Sequence, residues 1–406
     1  MIWDFIDATE TKAFVLLYSR LFLAYPSLPA GAVGQVGGSG VRSGTMSDEI
    51  YHRLAKVLDS LPNGFPATQS GVEIKLLKKI FRPEEAGLFC ELKLTFETPE
   101  QIASRTGKPL EILEKQLSSM WERGQIFGIQ FGQVKLFKMV PWAFGIYEFQ
   151  LPHMDRELAE MCEEYMEVYG RQFFDKKPQL MQVIPIERGI AARQEALSYE
   201  KVSSIIDTGQ SFLLMDCICK KGRALLDRRC EKPMEVCMGI APVPGVFDIP
   251  RVGHAISRDE AYRVLRRAED AGLVHLTWNL QTGHFFICNC CGCCCGVLRG
   301  INELGIPASR VVNSHYYAEI DPDRCEACGT CANERCQVRA IEIRGEAYEV
   351  IKDKCIGCGL CSTTCPAEAI KLVRKPAEQL VPPPEDEMAW YGERARQRGL
   401  DLNRFK

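Results

Sequence analysis

Two runs of closely spaced cysteines lie between residues 321 and 373 of the sequence. The first run contains Cys325, Cys328, Cys331 and Cys336, and the second contains Cys355, Cys358, Cys361 and Cys365, with Pro366 directly after it. Cysteines two residues apart on a tight loop present their thiolates inward, as a four-iron cubane requires. The spacing therefore predicts ligands for iron–sulfur clusters, whose chemistry is the transfer of single electrons.

The two runs are related but not identical. The second fits the bacterial C-x2-C-x2-C-x3-C-P pattern residue for residue, whereas the first has four residues before Cys336 and Gln337 in place of proline. Residues 316–375 resemble a bacterial-type ferredoxin domain with two [4Fe–4S] clusters. In that family the fourth cysteine of each run ligates the other cluster. The resemblance implies one cluster bound by Cys325, Cys328, Cys331 and Cys365, and another bound by Cys355, Cys358, Cys361 and Cys336.

The sequence around these runs is an internal repeat. Residues 317–325 and 348–355 open the two halves with related sequences, and residues 339–343 and 368–372 close them. Each half is expected to supply a short strand, a cysteine loop, a brief helix and a closing strand. Glycines beside the cysteines let backbone amides approach sulfur, which raises the reduction potential. They are Gly329, Gly357 and Gly359.

A further group of ten cysteines precedes the two runs. Its members are Cys217, Cys219, Cys230, Cys237, Cys288, Cys290, Cys291, Cys293, Cys294 and Cys295. The chain must fold back to bring these two patches together. Neighbouring residues on an extended strand point to opposite sides, so Cys294 is not expected to share a cluster with both Cys293 and Cys295.

The metal expected at these ten thiols is left open by their spacing. One or two further iron–sulfur clusters are one prediction, and zinc in a tetrahedral thiolate site is the main alternative, because C-x-C spacings serve either metal. Free thiols, either structural or redox-active, are a third alternative. The pattern resembles a cysteine-rich module that recurs in multidomain 4Fe–4S ferredoxin-like proteins of anaerobes.

The 20 cysteines of the chain favour metal ligation over disulfide bonds, because many lie too close together for pairwise bridging. Cys90 and Cys162 stand alone on predicted helices and are expected to be small buried residues. Exposed clusters and thiols oxidise readily, so we expect a reducing, anaerobic cytoplasm as the location.

Length and composition predict a multidomain α+β protein. The chain has 406 residues, 46% of them apolar, which suffices for two or three domains. Its net charge of −3 gives no field that would recruit nucleic acid or an acidic membrane surface. Residues 1–45 are expected to be a disordered extension or a mis-assigned start, since Ser47 after Met46 is a plausible helix cap.

Residues 46–150 predict helices, a helix–turn–helix and a hairpin, in that order. Thr98 precedes Pro99 as a helix start, and Pro109 opens the next helix. This order resembles a winged helix-turn-helix domain, which implies DNA binding or, on the same scaffold, partner docking. Glutamates on the second helix, including Glu111 and Glu114, argue against DNA, because a DNA-reading helix is normally basic.

The remaining segments complete the expected organisation. Residues 151–200 are predicted as a helical connector, 201–315 as the Cys-rich metal-binding α/β module and 316–375 as the ferredoxin domain. Residues 376–406 are expected to form a Pro-rich and charged tail, either solvated or serving as a docking segment.

Three functions from different classes fit these features. The favoured one is an iron–sulfur electron carrier or electron-transfer subunit with redox protein partners. A redox-sensing transcription regulator and an oxidoreductase subunit with a substrate-reducing cluster in the central module are the alternatives. No Gly-rich phosphate loop of the dinucleotide or P-loop type is present, so electrons are expected to enter and leave through partners. The sequence predicts no membrane span, no catalytic residue and no particular oligomeric state.

Overall fold

The computed structural model describes residues 46–190, 196–248 and 250–406. The predicted extension at 1–45 lies outside the described residues. Residues 50–406 form one compact unit. In the described ranges, no helix has both the length and the apolar character needed to cross a membrane.

Five helices and a hairpin form the N-terminal part of this unit. They are α1 (Met46–Asp59), α2 (Val72–Ile80), α3 (Pro83–Phe89), α4 (Pro99–Thr106), α5 (Leu110–Glu122), β1 (Phe127–Phe131) and β2 (Val134–Lys138). The Thr98 hydroxyl accepts a hydrogen bond from the Gln101 amide at the start of α4, and Gly107 ends α4 with φ of 71°. The predicted helix–turn–helix and the hairpin are therefore confirmed as secondary structure.

The central part combines a long helix with a seven-stranded sheet. Its helices are α6 (Arg156–Phe174), α7 (Val202–Thr208), α8 (Ile218–Leu225), α9 (Arg258–Asp270), α10 (Gly296–Asn302) and α11 (Ala308–Val311). Its strands are β3 (Met181–Ile184), β4 (Ser211–Asp216), β5 (Glu235–Ala241), β6 (His254–Ile256), β7 (Val274–Trp278), β8 (Phe286–Cys290) and β9 (Val312–Asn313). The strand order is β6-β4-β5-β8-β7-β3-β9, and the β3–β9 pair is parallel.

Strand β3 corrects the expectation that residues 151–200 form only a helical connector. It lies between β7 and β9, so this segment contributes to the same sheet as the Cys-rich region. All four of its residues are buried. A strand covered on both faces shows no alternation of apolar and polar residues, which is the pattern that would have identified it.

The C-terminal strands are exchanged between the two halves of the internal repeat. They are β10 (Tyr316–Ile320), β11 (Ile341–Arg344), β12 (Ala347–Val350) and β13 (Ile370–Arg374). The opening strand of the first half, β10, pairs with the closing strand of the second, β13, and β11 pairs with β12. Because each small sheet takes one strand from each half, neither half is complete without the other.

A buried ionic cluster ties these strands to the segment before α7. Glu200 accepts hydrogen bonds from His315 and, at 2.7 Å, from Arg374, while the Tyr316 hydroxyl donates to it at 3.3 Å. Burial alone would raise the pKa of Glu200, but the bonds from His315 and Arg374 lower it to about 2. The carboxylate therefore holds both edge strands β10 and β13 in place.

The last helix, α12 (Glu387–Arg398), corrects the expectation of a solvated tail, because several of its residues are buried. Trp390 is 0% exposed and donates through its indole nitrogen to the Gln179 carbonyl oxygen at 2.9 Å. Arg394 is 1% exposed and donates to the backbone carbonyls of Phe173, Lys176 and Pro178. The charges suggested a solvated segment, but this arginine satisfies carbonyl groups inside the core.

Replacing Arg394 by methionine should therefore lower the free energy of unfolding by roughly 3 kcal/mol or more, because several buried carbonyls lose their donor. Arg396→Met on the same helix is the matched control, since Arg396 is exposed, and it should change the free energy by less than about 0.5 kcal/mol. Anaerobic urea unfolding of both variants measures the difference. Equal stability of the two variants would show that the tail does not stabilise the core.

Candidate metal centres

Four cysteines, three from the first run and one from the second, line one cavity. Its cysteines, called the first thiol set below, are Cys325, Cys328, Cys331 and Cys365. Three come from the first run and Cys365 comes from the second, which is the exchange that the ferredoxin resemblance implies. Apolar groups of Ile320 and Ile370, on the paired strands β10 and β13, close the cavity from behind.

The other four cysteines of the two runs also lie together. This second thiol set contains Cys336, Cys355, Cys358 and Cys361. Burial raises the pKa of Cys361 well above its usual range, and the charges of the other three raise it further. The charge of Cys331, from the first set, also raises the pKa of Cys361, because the two sets are neighbours.

A π-helical turn absorbs the extra residue of the first run. The turn spans Cys331–Arg335, and the Cys336 amide donates to the Cys331 carbonyl at 3.0 Å. The corresponding place in the second run is a 3₁₀ turn, Ser362–Thr364. A wider turn takes up one more residue than a tight one. The irregular spacing thus leaves Cys336 in the position that corresponds to Cys365.

The backbone after each fourth cysteine is also equivalent. Arg339 and Glu368, three residues after Cys336 and Cys365, have positive φ of 52° and 49°. The following amides donate to sulfur, Ala340 to Cys336 at 3.1 Å and Ala369 to Cys365 at 3.3 Å. An amide donor stabilises a thiolate, because thiolate sulfur can accept hydrogen bonds but cannot donate them.

These features fit thiolates that are bound to a positively charged group. Burial by itself disfavours a bare thiolate, and it raises the pKa of Cys331 to about 11 and that of Cys358 to about 12. Coordinated iron reverses this penalty, since a coordinating thiol is deprotonated outright. Hydrogen bonds to the sulfurs and the exposure of the site then set the reduction potential of an iron–sulfur cluster.

Glycine is required at Gly357 but not at the equivalent place in the first run. Gly357 has φ of 62°, and a Cβ there would lie 2.1 Å from the carbonyl oxygen of Tyr316. Ala327 occupies the corresponding position with φ of 53°. The Cys355–Cys358 loop therefore lies directly against β10.

Six of the ten central cysteines, called the thiol ring below, lie near one another. Their thiols shift one another's pKa in the order Cys217, Cys219, Cys295, Cys290, Cys288 and Cys237, and Cys237 acts in turn on Cys217. This thiol ring is assembled from the end of β4, the start of α8, strands β5 and β8, and the start of α10. Three of its residues are buried and three are half-buried.

The remaining four central cysteines form a smaller group, the four-thiol site. They are Cys230, Cys291, Cys293 and Cys294, and their sulfurs all lie within 4.8 Å of one another. Cys230 comes from the loop between α8 and β5, and the others follow β8. Cys294 shares this site with the adjacent Cys293 and not with Cys295, because residues 292–294 form a turn and not an extended strand.

Lys220 is a buried cation beside both central groups. It is 2% exposed, and its ammonium donates to the Asn289 carbonyl at 3.3 Å. Burial lowers its pKa, but the charges of thiols from both groups, Cys217 and Cys291 foremost, raise it above the usual value. Sequence analysis missed this residue, although its place directly after Cys219 was a usable signal.

Gln337 joins the ferredoxin strands to the central cysteines. Its side-chain oxygen accepts from the Gly292 amide at 2.9 Å, and Asn302 donates to both the Gly292 and Gln337 carbonyls. A Cβ on Gly292 would lie 2.0 Å from the Gln337 carbonyl oxygen, so the two backbones touch. Gln337 follows Cys336, and Gly292 stands between Cys291 and Cys293. The residue that looked like a departure from the pattern is therefore a docking contact.

A second contact supports the first. Arg335, which is buried, donates to the carbonyls of Glu269 and Asp270 at the end of α9, at 2.8 and 3.0 Å. A cation at a helix C-terminus is favourable because the last carbonyls carry partial negative charge.

The lone cysteines Cys90 and Cys162 belong to none of the four thiol groups, and burial raises the pKa of both.

Comparison with known proteins agrees with the C-terminal geometry. Residues 318–372 match the family described as a 4Fe-4S dicluster domain. The chain therefore contains a 4Fe–4S dicluster ferredoxin domain at this position.

A curated relative extends the comparison in part. An uncharacterized ferredoxin of Methanocaldococcus jannaschii is 34% identical over 91 residues, which are 22% of this chain and 52% of the relative. The chain thus spans about half the length of that relative. No solved structure matches the chain significantly. The domain and the relative together support an iron–sulfur electron-transfer role.

Replacing Gly357 by alanine should remove the second cluster of the dicluster domain, because the new Cβ would force the cysteine loop away from β10. We expect a loss of about four irons and four sulfides per chain, the content of one cubane. Ala327→Gly is the matched control and should retain both clusters. Anaerobic iron and sulfide analysis measures the outcome, and full iron in the Gly357 variant would contradict the proposed fit.

Proposed function

We propose that the protein is an iron–sulfur electron-transfer protein, a ferredoxin-type carrier or an electron-transfer subunit, in which the dicluster domain and the central thiol groups work as one unit. The contact between Gln337 and Gly292 carries this proposal, because it joins residues adjacent in sequence to Cys336 and Cys291. A ferredoxin domain that acted alone would not need this contact.

The proposed clusters are assigned by thiol group. The first and second thiol sets would each hold one [4Fe–4S] cluster, and the thiol ring would hold a further iron–sulfur cluster. Such clusters accept and donate one electron at a time. The chain contributes the backbone donors to sulfur, the buried Lys220 and the apolar walls that hold the thiols in place.

The difference in exposure between the two sets suggests a direction. Cys328 of the first set is exposed, whereas its counterpart in the second set, Cys358, is half-buried, and Cys336 stands beside the central contact. We therefore place the contact with a redox protein partner on the face around Cys328. The second set lies between that face and the central module.

The N-terminal part is proposed to be a winged-helix-like module that contacts protein. Two of its cations are paired with carboxylates, the exposed Lys115 with Glu111 at 2.8 Å and the half-buried Lys135 with Glu114 at 3.0 Å. Ile112 on the same helix, α5, is 66% exposed. Paired charges and an exposed apolar side chain suit a protein surface better than a phosphate backbone.

The regulator and the oxidoreductase subunit remain the competing proposals. The helix–turn–helix order of α4 and α5 favours the regulator, but the balanced charge of α5 weakens it. The buried and half-buried positions of the ring thiols weaken direct reduction of a substrate there. The proposed modules are 46–150, 151–200, 201–315 and 316–375, followed by the segment 376–406, and strand β3 of the second module lies in the sheet of the third.

A reductive titration of the intact, anaerobically purified chain tests the electron-transfer proposal. Dithionite should introduce about two electrons reversibly into the dicluster domain, with EPR signals of reduced clusters, and more if the thiol ring is filled. Iron should exceed about eight atoms per chain in that case. A chain that binds no iron after anaerobic reconstitution, or that cannot be reoxidised, would refute the proposal.

Two parallel assays separate the competing functions. A gel-shift assay with genomic fragments should show no retardation at physiological salt, and specific retardation would favour the regulator. Turnover of a small substrate without any added protein would favour the oxidoreductase subunit.

A further inference from the structure

The four-thiol site is much more compact than a site for a four-iron cluster. The Cys230 and Cys291 sulfurs are 3.9 Å apart, and those of Cys293 and Cys294 are 3.7 Å apart. All four sulfurs lie within 4.8 Å of one another. A single ion with tetrahedral metal–sulfur bonds of ~2.3 Å places its ligands ~3.8 Å apart, which is close to the separations in these two pairs.

The same structure provides an internal comparison. In the part of the chain that it describes, no other group of three or more potential ligands is mutually this close, including the eight cysteines of the dicluster domain. Thiolates of a cubane each bind a different iron atom, so they stand further apart. In the thiol ring, too, no three sulfurs all lie within 4.8 Å of one another, although each thiol has two near neighbours.

We propose that Cys230, Cys291, Cys293 and Cys294 hold one tetrahedrally coordinated divalent metal ion, zinc or ferrous iron, in a site separate from the thiol ring and from the dicluster domain. Four soft sulfur ligands in a tetrahedron suit either ion. The site is closed, because all four ligand positions are supplied by the protein, which is typical of a structural rather than a catalytic centre.

The surrounding charge is consistent with such an ion. Four thiolates and one divalent ion carry a net charge of −2, which is costly away from water unless it is compensated. Lys220, with its buried ammonium, faces Cys291 of this site and supplies a positive charge. Three ligands are buried or half-buried, and Cys293 is exposed.

The proposed ion would hold the central contact in place. It links the loop of Cys230, between α8 and β5, to the turn after β8. Gly292 lies in that turn and donates its amide to Gln337. Fixing the turn therefore fixes the surface on which the dicluster domain docks, whichever of the two ions is present.

Metal analysis of the full chain with single-cysteine variants tests this inference. Cys293→Ala is the main variant, because Cys293 is exposed and its loss leaves no cavity, and Cys230→Ala repeats the test from the other segment. Cys162→Ala is the control, since Cys162 belongs to no thiol group. Each protein is purified anaerobically, and zinc, iron and acid-labile sulfide are measured per chain.

We expect both site variants to lose about one metal atom per chain with no loss of sulfide, and the control to lose none. Loss of zinc identifies a zinc site, and loss of one iron identifies an iron site. Loss of about four irons with sulfide would instead mean a cubane, and unchanged metal would mean that the four thiols bind no ion. Either result overturns the inference. The electron uptake of the dicluster domain is measured separately, so its failure is distinguishable from failure here.

Discussion

The constraint on which this structure depends is the burial of sulfur ligands. A buried thiolate is unfavourable unless metal, hydrogen-bond donors or a cation compensate its charge. The dicluster domain supplies backbone amides, such as those of Ala340 and Ala369. The central part supplies Lys220, which faces both of its thiol groups. Eighteen of the 20 cysteines thus fall into four groups, of which the two central ones share Lys220.

Strand exchange explains why the groups are arranged as they are. Since β10 pairs with β13 and β11 with β12, the fourth cysteine of each run is carried to the other half of the repeat. Glu200, Arg335 and Gln337 then attach this intertwined domain to the central sheet. The first run departs from the pattern in two places. Its extra residue is taken up by the π-helical turn, and Gln337, which replaces the proline, makes the contact with Gly292.

Sequence reasoning reached the local features but not the long-range ones. The caps at Thr98 and Gly107 and the strands of the repeat follow from local conformational rules. Gly357 is predicted to let an amide approach sulfur, whereas the structure requires glycine there because of the Tyr316 carbonyl, which is distant in sequence. The division of the ten central thiols does not, because it depends on which loop brings Cys230 to Cys291. Alternation along β8 explains only why Cys288 and Cys290, two residues apart, belong to the same group. The burial of α12 was missed because its Arg394 is satisfied by distant carbonyls, which no spacing in the sequence reveals.

Anomalous diffraction from anaerobically grown crystals, recorded on both sides of the iron and zinc absorption edges, tests the central claim most directly. The account predicts separate metal peaks within the first thiol set, the second thiol set and the thiol ring, and a single-atom peak among Cys230, Cys291, Cys293 and Cys294. Peaks confined to the dicluster domain, with the ten central cysteines free of metal, would contradict it.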